Sequence, residues 1–225
     1  MKYELYYWPS IQGRGEFVRL ALEDAGADYV DVARQRSGIR KMEHLMQKHA
    51  IFAPPFLRSG GLLIAQSANI LAYLGPRLGL APKSEAGRLW LHQLQLTISD
   101  WLVEVHDTHH PIGGGLYYED QKEESLRRAG DFRSERLPKY LRYFERTVEN
   151  GKAIHYVNLS LLQMIEGLRY AFPRTMSRME KKYPKLIALH DQIEKRPRLA
   201  AYLASKRRIP FNQQGIFRHY PELDA

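Results

Sequence analysis

Apolar and polar positions over the first eighty residues switch between a period of two and a period near 3.6. Tyr3-Glu4-Leu5-Tyr6-Tyr7-Trp8 is aromatic-rich and partly alternating, which predicts a strand closed by Pro9-Ser10. Alternation turns Tyr6 to the face opposite Tyr7 and assigns Tyr6 to the core. Past a turn at Gly13, a helix begins at Arg14, with Val18, Ala21, Leu22 and Ala25 at helical spacing and Gly26 as its stop. Tyr29–Val32 reads as a second strand, and residues 37–49 are polar, basic and weakly helical. Phe56-Leu57 and Leu62-Leu63-Ile64 flank Gly60-Gly61, a hairpin signal. Gln66-Ser67 then opens a helix with Ile70, Leu71 and Leu74 on one face. The order β-α-β-α-β-β-α combines a parallel crossover with an antiparallel hairpin, so residues 1–80 are expected to form an α/β layer domain.

The period changes after Leu80. Ala81-Pro82-Lys83-Ser84 reads as a linker, with Ser84 placed to cap the next helix. A helical pattern runs from Glu85 to about His109 through Leu89, His92, Leu96, Ser99 and Val103, until Pro111 and Gly113-Gly114-Gly115 break it. A second long helix is predicted over Lys122–Glu149, stopping at Asn150-Gly151. Leu159–Ala171 is apolar on most faces, as a buried helix is, and ends before Pro173. One or two further helices reach about Ser205, and the tail from Ile209 reads as irregular. Residues 85–225 are thus expected to be all-α.

The formal net charge of +9 raises the question of nucleic acid. The basic residues are scattered, as in Arg34, Arg36, Arg40 and Lys41, then Arg127, Arg128, Arg133 and Arg136, then Lys206, Arg207 and Arg208. Without a continuous basic run or an RNA-recognition pattern, the charge reads as solvated faces with some attraction for small anions. The chain has no cysteine, which excludes disulfides, protein thiolate nucleophiles and Cys-ligated metals. No signal segment precedes the first strand, and no apolar run approaches the roughly 20 residues that span a membrane. The expectation is a cytoplasmic protein without a membrane partner.

Candidate chemistry concentrates in Phe52–Leu74. Polar residues at a helix start meet exposed N–H groups and the positive end of the dipole, so Gln66-Ser67 favours an anion such as a carboxylate. Pro54-Pro55 restricts the chain where a ligand would lie alongside the sheet edge. Elsewhere, His106 and His110 sit at i, i+4, a spacing metals use, with His109 beside them. No HExxH pattern accompanies the pair and no third ligand is evident in the sequence, so no metal is expected.

Four segments carry a family resemblance. Y-Y-W-P-S-I-Q-G-R-G-E-F-V-R-L-A-L, P-P-F-L…A-Q-S-A-N-I-L-A-Y-L, L-S-L-L-Q-M-I-E-G-L and R-P-R-L-A-A-Y-L resemble, in order and spacing, the soluble glutathione transferases. The resemblance covers nearly the whole chain and is closest to the classes that use a tyrosine, in a divergent form of bacterial or fungal character. It implies a thioredoxin-like glutathione-binding domain over residues 1–80. It further implies an all-helical domain over 85–225 that lines the electrophile site, glutathione as co-substrate, and a homodimer.

The reaction implied is attack by the glutathione thiolate on a small apolar electrophile. A free thiol has a pKa of about 8.5. One neutral hydroxyl donating to an ionised sulfur is worth roughly 1.5–3 kcal/mol, or one to two pKa units. By resemblance Tyr7 closes the first strand as the tyrosine does in those classes, although one residue further from Gly13-Arg14. Counting back from Arg14, Ser10 stands where other classes place a serine, so Tyr7 is favoured and Ser10 stays open. Gln66 and Ser67 match the γ-glutamyl site, and Arg14 opens a helix where a cation needs an acidic partner. Asp100 matches an acid that reaches the partner subunit's glutathione amine in some classes, while Arg40, His44 and Lys48 are candidates for the glycine carboxylate. The family's cysteinyl backbone contact falls on Pro54, which keeps its carbonyl but has no N–H, a loss of about 0.5–1.5 kcal/mol. His106 and His110, with Tyr117, Tyr118 or Phe172, are expected to shape the electrophile pocket. Ahead of the buried helix the family's capping box is altered to His155-Tyr156-Val157-Asn158. The rival is a non-catalytic glutathione-fold carrier or regulatory protein, favoured by Pro54 and the lengthened loop before Gly13.

Overall fold

The computed structural model describes residues 2–148 and 155–225. The alternating segments form a four-stranded mixed sheet in the order β2-β1-β3-β4, from β1 (Tyr3–Tyr6), β2 (Tyr29–Asp31), β3 (Phe56–Ser59) and β4 (Leu62–Ala65). β1 runs parallel to β2, Leu5 opposite Asp31, and antiparallel to β3, Tyr6 opposite Phe56. The β3–β4 hairpin turns at Gly60, whose φ of 59° is the left-handed conformation glycine adopts without cost.

Strand alternation assigns the two faces. Leu5 and Leu57 pack with Val18 and Leu22 of α1 (Gly15–Ala25) and with Ile70 and Leu74 of α3 (Ser67–Arg77). Tyr6 and Phe56 stack at 4.4 Å on the opposite face, beside Met42 of α2 (Gly38–Lys48). Tyr6 is therefore a core residue, as alternation predicts.

The remaining described elements are helical. α4 (Glu85–Asp107) starts at Ser84, whose Oγ accepts from the Gly87 N–H at 3.2 Å. Its core face is Leu91, Leu94, Ile98, Trp101, Leu102 and Val105. The pattern read through Leu89, Leu96 and Val103 marks the opposite, solvent side, where these residues are 63%, 47% and 45% exposed. The helix carries two apolar stripes, and periodicity alone does not say which one faces the core.

The single helix expected from Lys122 is two, α5 (Lys122–Asp131) and α6 (Leu137–Thr147), joined through a π-helical turn at Phe132–Arg136. Pro138 has no N–H for a carbonyl one turn back, and the wider turn relieves that mismatch. The stop expected at Asn150-Gly151 lies outside the described residues. α7 (Tyr156–Ala171) is buried on most sides, and the His155 N–H donates to Asn158 Oδ1 at 2.8 Å, so Asn158 serves its half of the altered box. After it come α8 (Pro173–Met179), α9 (Pro184–Glu194) and α10 (Pro197–Leu203), where one or two helices were expected. Each begins on a proline, which suits a first helical position but cannot continue the helix before it.

One apolar cluster joins the two halves, with Phe17, Leu20 and Leu71 packing among α4, α6, α7 and α9 side chains. A buried polar seam reinforces it. Glu16 accepts from the Tyr202 hydroxyl at 2.7 Å and pairs with Arg208 and with Arg19 at 3.2 Å; Arg19 reaches Asp31 at 2.7 Å. Among the described residues no helix is long and apolar enough to cross a membrane.

Candidate active site

Tyr7 follows directly after β1 and is 4% exposed. Its hydroxyl accepts a hydrogen bond from the Arg14 N–H at 2.9 Å. Gly13 has a φ of 43° and runs against that hydroxyl, while Gly15 passes the ring; a Cβ at either position would overlap the tyrosine. The Arg19 guanidinium lies 5.8 Å from the ring centroid. Burial raises the Tyr7 pKa, outweighing the Arg14 N–H and the positive charges of Arg14 and Arg19 that lower it. The group is thus a neutral phenol near pH 7. One acceptor position is used by Arg14, and its O–H remains a donor.

Arg14 also connects Tyr7 to the start of α3, because its carbonyl accepts from Ser67 Oγ at 3.2 Å. Gln66 holds a φ of 69° at the junction of β4 and α3, a conformation that is rare for a residue with a side chain. A cleft of about 450 Å³ opens there against α4. Arg14, Gln66, Ser67 and Asp100 all line it, so four of the residues selected from sequence meet at one cavity.

The other candidates lie elsewhere. Pro54 is buried, forms a cis peptide bond with Pro55 just before β3, and does not line the cleft. Ser10 is exposed, and its carbonyl accepts from Asn212 Nδ2 at 2.8 Å. Arg40, His44 and Lys48 are exposed on α2 and are not among the cleft residues. Phe172 belongs to the core, 1% exposed, with its ring 5.7 Å from that of Phe132. Tyr118 stacks on Tyr220 at 3.8 Å, while Tyr117 is largely exposed.

Sequence reasoning did not single out His92, Gln95 and Asn69, which line the cleft with the expected residues. Gln95 Oε1 accepts from Ser160 Oγ at 2.8 Å, and His92 Nδ1 is buried with no hydrogen-bond partner among the described residues. The available signal was polar residues inside the apolar stripe of α4, His92 and Ser99 among them.

His106 lies in the last turn of α4, and His109 and His110 follow just after the helix. The fold brings the three imidazoles together, with ring centroids 4.7–5.2 Å apart. Burial pushes their pKa values down, to about 4 for His106, about 3 for His109 and about 4 for His110, so all three are neutral near pH 7.

The solved structure of a Pi-class glutathione S-transferase from Onchocerca volvulus superposes with a TM-score of 0.75, covering 96% of this chain and 99% of that one at 22% identity. The fold is that of a glutathione transferase. Residues 106–206 match the family described as glutathione S-transferase, C-terminal domain. Glutathione S-transferase P 2 of Bufo bufo is 28% identical over 95% of this chain and 98% of its own length. Glutathione S-transferase P 1 of Xenopus laevis is 26% identical over 92% and 93%. The chain is similar to these glutathione transferases over nearly its whole length, with the thioredoxin-like unit first and the helical unit second.

Proposed function

We propose that this protein is a cytoplasmic, homodimeric glutathione transferase that detoxifies small apolar electrophiles, with the Tyr7 hydroxyl stabilising the thiolate. The observation that carries this reading is the backbone of Arg14, which holds the Tyr7 hydroxyl through its N–H and the Ser67 hydroxyl through its carbonyl. A phenol so held spends an acceptor on Arg14 and offers its proton to a sulfur, a contribution of roughly 1.5–3 kcal/mol. Residues 1–80 bind glutathione and residues 85–225 close over the electrophile. The γ-glutamyl carboxylate sits at the start of α3, met by Ser67, Gln66 and the helix N–H groups, with the Arg14 side chain nearby. Asp100 is the acid for the partner subunit's glutathione amine, and the Pro54 carbonyl serves the cysteinyl N–H. The α4 end with His106 and His110 borders the electrophile.

Homodimerisation is supported by apolar side chains left in solvent: Leu89, Trp90, Leu96 and Val103 on α4, Leu62 at the sheet edge, and Phe52, which is 95% exposed. Pro54 keeps the non-catalytic carrier as a second reading, since it removes a donor beside the cysteinyl portion. Retention on immobilised glutathione followed by an aryl halide conjugation assay separates the two. A wild type that neither binds nor conjugates ends the enzyme reading. Loss of activity in Ser10→Ala with Tyr7→Phe unaffected would move the hydroxyl role to Ser10.

A further inference from the structure

The histidines at the end of α4 form a donor set of one type. Their ligand nitrogens all lie within 4.8 Å of one another. A tetrahedral shell with metal–nitrogen bonds of 2.0–2.1 Å places its nitrogens about 3.3 Å apart, within reach of small ring rotations. Backbone carbonyls also stand behind two of the rings. His109 Nε2 faces the Ile216 carbonyl at 2.7 Å, and a carbonyl only accepts, so in neutral His109 the hydrogen sits on Nε2 and Nδ1 carries a bare lone pair. That lone pair faces His110 Nδ1 at 2.5 Å, within reach of a hydrogen bond from it. His110 has the Leu116 carbonyl as a further hydrogen-bond partner. A backbone carbonyl behind an imidazole, fixing tautomer and orientation, is the usual support of a metal-ligating histidine.

The surroundings admit a cation. Arg14 and Arg218 act on the cluster, and Asp107 and Glu119 offset them, Asp107 Oδ1 lying 3.8 Å from His106 Nδ1. His109 and His110 are buried, whereas the His106 side chain is 30% exposed and provides an entry side. A second cluster among the described residues, His190 with Asp191 and Glu194, differs in kind. His190 is already satisfied by Glu166 at 2.8 Å and Asp191 at 2.9 Å, so it is an ion-pair network.

We propose that His106, His109 and His110 form a three-imidazole site for a divalent late first-row metal ion such as zinc, with a fourth position open on the His106 side. Imidazole donors suit zinc, copper and nickel, and three protein ligands leave a place for water or another small ligand. The bound ion would tie the end of α4 to the C-terminal tail, which already meets His109 at Ile216.

The test uses the untagged full-length chain, stripped with a chelator and titrated with Zn²⁺ by calorimetry and with Co²⁺ by visible absorption. One equivalent is expected, with cobalt bands of a low-coordinate nitrogen site. His106→Gln and His110→Gln should each weaken binding at least tenfold, whereas His44→Gln and His49→Gln should bind as wild type. Zn²⁺ should raise the Tm of the wild type in a concentration-dependent way and leave that of His106→Gln in place, which separates lost ligation from lost folding. Unchanged stoichiometry and affinity in both cluster variants, or no wild-type binding tighter than millimolar, would overturn the site.

Discussion

A Cβ built on Gly13 would lie 2.0 Å from the Tyr7 hydroxyl oxygen. The position also has a φ of 43°, so a side chain there is unfavourable on two counts. Gly13→Ala should displace the phenol while leaving Gln66, Ser67 and Asp100 in place. The expected outcome is a fall of at least tenfold in kcat with a smaller change in the KM for glutathione. Wild-type kinetics in Gly13→Ala would show that the Tyr7 position does not matter to the chemistry.

Tyr7→Phe removes the donor proposed for the sulfur. The pKa of bound glutathione should rise by about one to two units, toward the free value of about 8.5. Activity should fall roughly 10- to 100-fold at pH 6.5 and recover as the pH is raised to 9, since solution hydroxide then supplies the thiolate. Thiolate absorbance in the ultraviolet, titrated with glutathione bound, reads this directly. A bound-thiol pKa equal to that of the wild type would remove Tyr7 from the mechanism.

Glu16 has no exposure and holds Arg19, Arg208 and Tyr202 together across the two halves. Glu16→Gln leaves the Arg208 guanidinium without its counter-ion and Arg19 with Asp31 alone, and should cost about 3–5 kcal/mol. Tyr202→Phe removes one hydrogen bond to the same carboxylate and should cost about 1–3 kcal/mol. Urea denaturation of both variants tests the order, which fails if Tyr202→Phe is the more damaging.

His190 and Glu166 give stability a pH window. Burial pulls the His190 pKa down, but its bonds to Glu166 and Asp191 win and the net shift is upward from 6.5. Glu166 is shifted below its usual value, chiefly by the His190 hydrogen bond. The raised histidine stabilises the fold fully below about pH 6.5 and loses this as the pH rises through its folded pKa. The lowered glutamate stabilises above its unfolded pKa of about 4.3 and loses this as the pH falls through its folded pKa. The pair therefore contributes most between about pH 4.5 and 6.5. The stability difference between wild type and His190→Gln should be larger at pH 5.5 than at pH 8.5; equal differences from urea midpoints at the two values would refute this linkage.

The order of strands and helices was legible because local period and turn residues determine it: Gly60-Gly61 marks the hairpin and Ser84 the start of α4. Which face of α4 is buried was not legible, because Leu89–Leu96–Val103 and Leu91–Ile98–Val105 are both apolar at the same spacing. Motif order picked out Arg14, Gln66, Ser67 and Asp100, which share the cleft. His92 was missed as a participant, and the contact of His109 with Ile216 was not legible, since both come from contacts that no short-range pattern encodes.

The tie between Tyr7 and Ser67 runs through main-chain atoms of Arg14, and so does not depend on what side chain stands at that position. Alanine at position 14 would remove the guanidinium and keep the frame; proline would keep the carbonyl and cut the strut to the phenol. Two substitutions at one codon thus dissect charge from scaffolding, a separation that most sites built from side chains alone do not permit.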